Sequence, residues 1–455
     1  MYKYKGAIGL FEKKLVDKIS SVFSEDFINE QAMKSKFIQR SSKMTPLKFL
    51  SLMFFNSQQN QSLSLNQLSI EASTGCDVEI TKQGLDQRMN DKAVEFLKLL
   101  LEKQLSNQIS ENLDSDIFKS FKRVRIKDST KFDVNGQLSN LLPGFGGSAS
   151  DASTCIQFEF DLKAGTTIDL KITPGNVPDS KDAILEKDNI KEGDLIIRDL
   201  GYYALEVLKS IQDSKAFYLS KLNTQTKAYE KLDNNLVEIN FENIYQYMQK
   251  NNLTRIEKTV FIGKKTLLET RLIIELVPNE IYESRICKIN SFNKKKGRTT
   301  TANYKCRSRF NLFITNADTS KLNTENALLT YRMRWQVELM FKVWKSTFGI
   351  HNVHKMKYER LMCQLLSKLL LIMVNWEIIY TYRSVFYRKR KELLSTDKSF
   401  KTLKNNAYKI RNLIGGSQDD VIDFIKWISI TFSKSHWIEK RKKRINFADL
   451  ICLNI

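Results

Sequence analysis

Apolar residues recur at helical spacing over residues 1 to about 112, and then the period changes to two. Pro46 to Phe55 predicts an apolar helix, and a second begins at Ser64-Leu65 with Leu68 and Ala72 on its inner side. Thr74-Gly75 predicts a turn, and Thr81 to Arg88 opens a polar helix carrying Gln and Arg; this arrangement suits a helix-turn-helix reader as well as a plain helical bundle. After residue 120, Val124, Ile126 and Asp128 alternate with Arg123, Arg125 and Lys127, which predicts a strand ending at Asp128. Ile156, Phe158, Phe160 and Leu162 alternate, Lys163 to Gly165 turns, and Ile168, Leu170 and Ile172 alternate again, a hairpin signal. Asp179-Ser180 caps a short helix, Asp194 to Asp199 is a compact apolar strand, Tyr203 to Ile211 reads as a helix and Ala216 to Leu219 as a fifth strand. That order predicts a mixed α/β sheet. Residues 223 to about 322 interrupt it with strands of another rhythm, around Glu257–Ile262 and Leu267–Leu276, and helices dominate from Thr324 onward.

Composition narrows the partner. Lys and Arg number 73 against 51 Asp and Glu, a net charge of +22, and such an excess favours a polyanion. Charge alone does not separate nucleic acid from an anionic membrane. The six cysteines form no CxxC pair, which argues against a zinc ribbon or a disulfide framework and fits a reducing compartment. The N-terminal segment lacks an apolar signal core, and the longest apolar run, Leu369 to Val374, predicts a buried helix rather than a membrane span. The expectation is a cytoplasmic protein with no membrane partner.

Candidate chemistry gathers at three places. Asp128 ends the first strand and Asp199 the fourth, each in phase with its strand's apolar residues, where a carboxylate is costly unless paired or bound to a cation. Either one alone is more simply a strand-end aspartate. On one continuous helix, at about 100° per residue, Tyr331, Arg334, Glu338 and Lys345 fall within an arc of about 60°, opposite Met333, Val337, Met340 and Trp344. A solvated polar face explains that pattern too, but an acid, two cations and a phenol suit a metal-bound phosphate. Three converging acids would suit two-metal phosphoryl transfer. His351 and His354 lack a third ligand at suitable spacing, and the Gly/Ser-rich stretch Pro143 to Ser150 lacks the Lys-Ser/Thr ending of a phosphate-cradling loop.

At these residues the sequence resembles the DDE transposases of the IS-four type. Three motifs match in order: Lys127-Asp128-Ser129-Thr130, then Arg198-Asp199-Leu200-Gly201-Tyr202-Tyr203, then Tyr331-x2-Arg334-x3-Glu338-x6-Lys345, the family's Y-R-E-K signature with every spacing intact. The resemblance implies a ribonuclease-H-like core split by a β-rich insertion, and the 139 residues from Asp199 to Glu338 leave room for one. It implies that Asp128, Asp199 and Glu338 hold two Mg²⁺ ions, with Mn²⁺ able to substitute, and that Tyr331, Arg334 and Lys345 contact terminal phosphates. The implied reaction is nicking of double-stranded DNA at terminal inverted repeats, followed by attack of the freed 3′-OH on target DNA, by a protein acting as a homodimer. Members that pass through a hairpin stack a flipped base on a Trp in the insertion; here no Trp lies in 223–322, and another aromatic there, such as Tyr245 or Phe261, would have to take its place.

The expected layout is a helical DNA-binding region over 1–112, the catalytic core over 113–222 and 323–390, the insertion over 223–322, and a basic helical region over 391–455. Nine cations and one acid between Glu283 and Phe310, including Lys294, Lys295, Lys296 and Arg298, form a strip suited to a DNA backbone, or else a solvated loop. Residues 388–455 carry a net charge of +9, including Lys440 to Arg444, and suit DNA contact or dimerisation. Two other readings compete: a ribonuclease-H-like nuclease without strand transfer, and a catalytically silent DNA-binding regulator.

Overall fold

The alternation that begins at Val124 does not stop at Asp128: Thr130 and Phe132 continue it and are buried, and the first strand runs through Asp133. In the computed structural model, which describes residues 9–438 apart from 41, 107, 110–115, 234, 265 and 391, ten strands follow in chain order. They are β1 (Arg123–Asp133), β2 (Ser153–Asp161), β3 (Thr167–Pro174), β4 (Asp194–Arg198), β5 (Phe217–Lys221), β6 (Ala228–Leu232), β7 (Asn235–Glu238), β8 (Arg255–Ile262), β9 (Leu268–Leu276) and β10 (Phe310–Thr315). With the helices around them they make the mixed α/β fold that the sequence predicts. The chain divides into two compact units, one of residues Met1–Leu113, Ser129–Asn176 and Gln336–Ile455, the other of Asp114–Asp128 and Val177–Trp335.

In the second unit the strand order is β1-β4-β5-β10-β9-β8-β6-β7. The pairs β1–β4 and β4–β5 are parallel; all later pairs are antiparallel. Val124, Ile126, Leu195 and Ile197 are fully buried, as a parallel pair covered on both faces requires. Arg125 and Lys127, on the other face of β1, are also fully buried, which a half-exposed strand would not allow. Carboxylates account for this. Arg123 grips Asp194 through two bonds of 2.7 and 2.5 Å, Arg125 reaches the same carboxylate at 3.1 Å, and Lys127 lies 2.7 Å from Asp182. A hydrophobic cluster with Val260, Ile262, Leu272, Ile274, Phe310 and Ile314 holds the antiparallel strands together.

In the first unit the predicted hairpin forms as β2–β3, turning at Gly165. Gly165 has φ +71°, and an added Cβ would lie 2.1 Å from the Tyr380 ring. Tyr380 belongs to the 33-residue helix Tyr358–Arg390, which contains the apolar run Leu369–Val374. This helix is long and apolar enough to cross a membrane, yet its apolar stretch is wholly buried. Trp376 on it packs against Phe158 and Phe160 of β2 and donates to the Gly165 carbonyl at 2.6 Å. The N-terminal helices also belong to this unit. The helix Leu65–Cys76, capped by Ser64, runs past Thr74-Gly75, and the chain turns instead at Asp77, which has φ +52°. The helix expected from Thr81 forms as Lys82–Arg88, with Thr81 as its cap.

Candidate active site

Lys127 and Arg198 are the last register partners of β1 and β4, and the next residue on each strand is an aspartate. Asp199 keeps an extended backbone (φ −76°, ψ 167°), so Asp128 within β1 and Asp199 just past β4 sit at the same level of neighbouring parallel strands. Both are half-buried. Arg334 donates to the Asp128 carboxylate at 3.2 Å. Beside them Tyr331 packs edge-on against Phe313, with Lys221 over its ring. Burial pushes the Tyr331 phenol up to about 12; Arg334 opposes the rise, and Asp199 and Asp128 add to it. The phenol therefore stays protonated, and its buried hydroxyl donates to no acceptor among the described residues. Two carboxylates, a guanidinium and an unused donor thus meet in the second unit.

The Y-R-E-K segment is not one helix. It is Thr324–Met333 followed by Trp335–Ser346, with a tightened turn at Arg334, whose N–H bonds to the Tyr331 carbonyl only three residues back. The single-helix wheel therefore holds only in parts. Tyr331 closes the first helix, while Glu338 and Lys345 sit on the second, almost two full turns apart. The apolar side is as expected: Met333, Val337, Met340 and Trp344 are buried. In the first unit Glu338 is half-buried, and Lys345 donates to the Lys131 carbonyl at 3.4 Å.

The basic strip is helical rather than a loop, spanning Asn279–Lys295 and Ala302–Arg307. Lys294, Lys295, Lys296 and Arg298 are exposed. Three of its nine cations are structural. Arg285 donates to the Ser308 and Phe310 carbonyls, Arg307 is buried, and Arg309 lies 4.4 Å from both the Tyr245 and Tyr282 rings. His351 and His354 are exposed loop residues, and Lys440 to Arg444 lie outside the described residues. One feature passed over in the sequence is Trp335. Beside Arg334 it is 61% exposed, the most open tryptophan among the described residues, and the apolar phase of its helix gave the only hint.

Comparison with known proteins decides the family. Residues 119–374, more than half of the chain, match the family described as Transposase DDE domain. The chain belongs to the DDE transposases. Its relatives include the transposase for insertion sequence element IS231F of Bacillus thuringiensis subsp. israelensis, 29% identical over 89% of this chain and 88% of the relative. The transposase for IS231C of Bacillus thuringiensis subsp. berliner is 30% identical over 82% of this chain and 81% of the relative. The transposase for IS1151 of Clostridium perfringens is 29% identical over 86% of each chain. These relatives bear out the IS-four-type resemblance and the reading of the transposase as an enzyme.

Proposed function

We propose that this transposase nicks double-stranded DNA at the terminal inverted repeats of an insertion sequence and then transfers the freed 3′-OH into target DNA. Asp128, Asp199 and Glu338 would hold two Mg²⁺ ions, with Mn²⁺ able to substitute. The observation that carries this reading is the β1–β4 register, which sets Asp128 level with Asp199 inside the family segment, with Arg334 on one carboxylate. The donor set fits a hard cation, which takes carboxylate oxygens, and the idle Tyr331 hydroxyl beside it fits an incoming oxygen-rich group. Metal ions held there would lower the cost of charge on the attacking and leaving oxygens.

The chain's own side chains do the positioning. Tyr331, neutral across the working pH range, donates a hydrogen bond to a terminal phosphate. Arg334 offers a planar fork for another phosphate oxygen, and Lys345 a point charge. Lys294, Lys295, Lys296 and Arg298 follow the DNA backbone. Two acids level with one another on adjacent parallel strands, Asp128 within β1 and Asp199 just past β4, support a ribonuclease-H-like core over 113–222 and 323–390, interrupted by the insertion at 223–322. The helical region 1–112 binds DNA, presenting the exposed Lys82, Gln83 and Gln87, while Asp86 is tied to Lys357 and Arg360. The basic region 391–455 supports DNA contact or pairing of two copies in a homodimer on DNA, in the cytoplasm.

Replacing Asp128 with Ala tests the reading. Mg²⁺-dependent cleavage of end DNA is expected to vanish while binding persists. Cleavage that survived would remove Asp128 from the site. Binding by the unaltered protein with no cutting in Mg²⁺ or Mn²⁺ would favour the silent regulator.

A further inference from the structure

Several buried or half-buried cations among the described residues are matched by carboxylates. Arg123 and Arg125 share Asp194, Lys127 has Asp182, and Arg271 lies 3.2 Å from Glu257. Others, such as Lys18 and Arg307, donate to carbonyls singly, but in the first unit several cations gather without a carboxylate. Lys368, on the helix Tyr358–Arg390, is 5% exposed, and its ammonium donates to the carbonyls of Phe348 at 2.8 Å and Gln59 at 3.2 Å. Lys404 donates to the side-chain oxygen of Asn60, the neighbour of Gln59, and Lys345 to the Lys131 carbonyl. The Asn60 carbonyl in turn accepts from the Asn352 amide at 3.0 Å, next to His351. Every cation here meets a neutral oxygen.

The cations also act on one another. Lys345 and Lys368 both hold the His351 imidazole below its usual range, after burial, and Lys404 does the same to Lys368. The backbone beside the group is closely packed. Gly349 has φ +57°, and an added Cβ would sit 1.7 Å from the Asn60 carbonyl oxygen. Like charges fixed together without a counter-charge cost free energy, and an arriving anion recovers it. His351 is exposed and Lys404 half-buried, so both can be reached from solvent.

We infer that Lys345, His351, Lys368 and Lys404 form a patch that takes a backbone phosphate of bound DNA, with His351 and Lys404 touching it and buried Lys368 adding to the field. This rests on the DNA-cutting function proposed above and extends the Y-R-E-K motif's Lys345 with a phosphate contact by His351 and Lys404, which lie outside that motif. A phosphate here favours the imidazolium, so binding draws a proton onto His351.

The test measures affinity for a short duplex of arbitrary sequence against salt and pH, because backbone contacts carry no sequence information. His351→Gln with Lys404→Gln is compared with the unaltered protein and with Lys98→Gln, a surface lysine paired with Glu95. The double variant is expected to flatten the plot of log affinity against log salt by about 0.9, one phosphate contact, while Lys98→Gln leaves it unchanged. Affinity of the unaltered protein should rise as pH falls through the histidine range, and His351→Gln should shrink that rise to the part that Lys368, itself lowered to about 7, supplies. An unchanged slope in the double variant, with metal-dependent cleavage intact in the unaltered protein, overturns the patch alone. An unaltered protein that bound no DNA would overturn the patch and the proposed function together. If the double variant failed to fold, the pH comparison with His351→Gln would decide.

Discussion

Asp128 and Asp199 stand one residue beyond the register pair Lys127 and Arg198, so both carboxylates emerge at one level from strands about 4.8 Å apart. Two like charges at that spacing repel unless a cation lies among them. Arg334 supplies part of that charge, and the proposed metal ions supply the rest. Asp199→Asn, which keeps the shape and removes the charge, is expected to abolish metal-dependent cleavage with unchanged secondary structure. Cleavage assays beside circular dichroism check this.

Arg334→Lys keeps a cation near Asp128 but loses the planar fork. The expected outcome is slower cleavage at saturating DNA, by about tenfold or more if one charge-assisted bond of about 1.5–3 kcal/mol is lost. Arg334→Ala should be worse still. Single-turnover rates rank the three proteins; equal rates would remove Arg334 from the reaction.

Lys127 is fully buried 2.7 Å from Asp182. Lys127→Met leaves that carboxylate without its cation, and the expected destabilisation is about 3–5 kcal/mol. Replacing Asp182 with Leu in the same protein should recover part of it. Urea denaturation of the single and double variants measures the difference.

These cases also mark how far the chain could be read directly. Period two in β1 and β2–β3, the helix starts at Ser64 and Thr81, and the intact Y-R-E-K spacing were legible because each is a local property of adjacent residues. The buried face of β1 was not. Arg125 and Lys127 look like a solvated face until Asp194 and Asp182, more than 50 residues away, are brought to them. The turn at Arg334 escaped for a different reason: its residues carry no Gly or Pro, and the break is a single three-residue hydrogen bond that the apolar phase does not register. The level placement of Asp128 and Asp199 depends on strand pairing, whereas their candidacy followed from phase alone.

Gly165→Ala combines a left-handed backbone with a contact of 2.1 Å to the Tyr380 ring. It should destabilise the β2–β3 hairpin by more than the 1–3 kcal/mol or so of backbone strain alone. The expected readout is an earlier urea midpoint with altered tryptophan fluorescence, because Trp376 donates to the same residue's carbonyl.

Burial lowers the Lys368 ammonium from 10.5 to about 7, with Lys404 adding to the fall. Between those values the unfolded chain holds a proton that the folded chain has lost, so stability rises with pH from about 7 toward 10.5. Lys368→Met should lack that contribution. The difference between the two proteins' unfolding free energies across this window is the readout, and parallel curves would contradict it.

The shared-ion assignment is tested most directly by replacing Mg²⁺ with Fe²⁺ on the DNA-bound protein and mapping backbone scission after peroxide and ascorbate. The account predicts cuts close to residues 128, 199 and 338 that excess Mg²⁺ suppresses. Scission that spared the segment around Glu338, or that Mg²⁺ left unchanged, would contradict it.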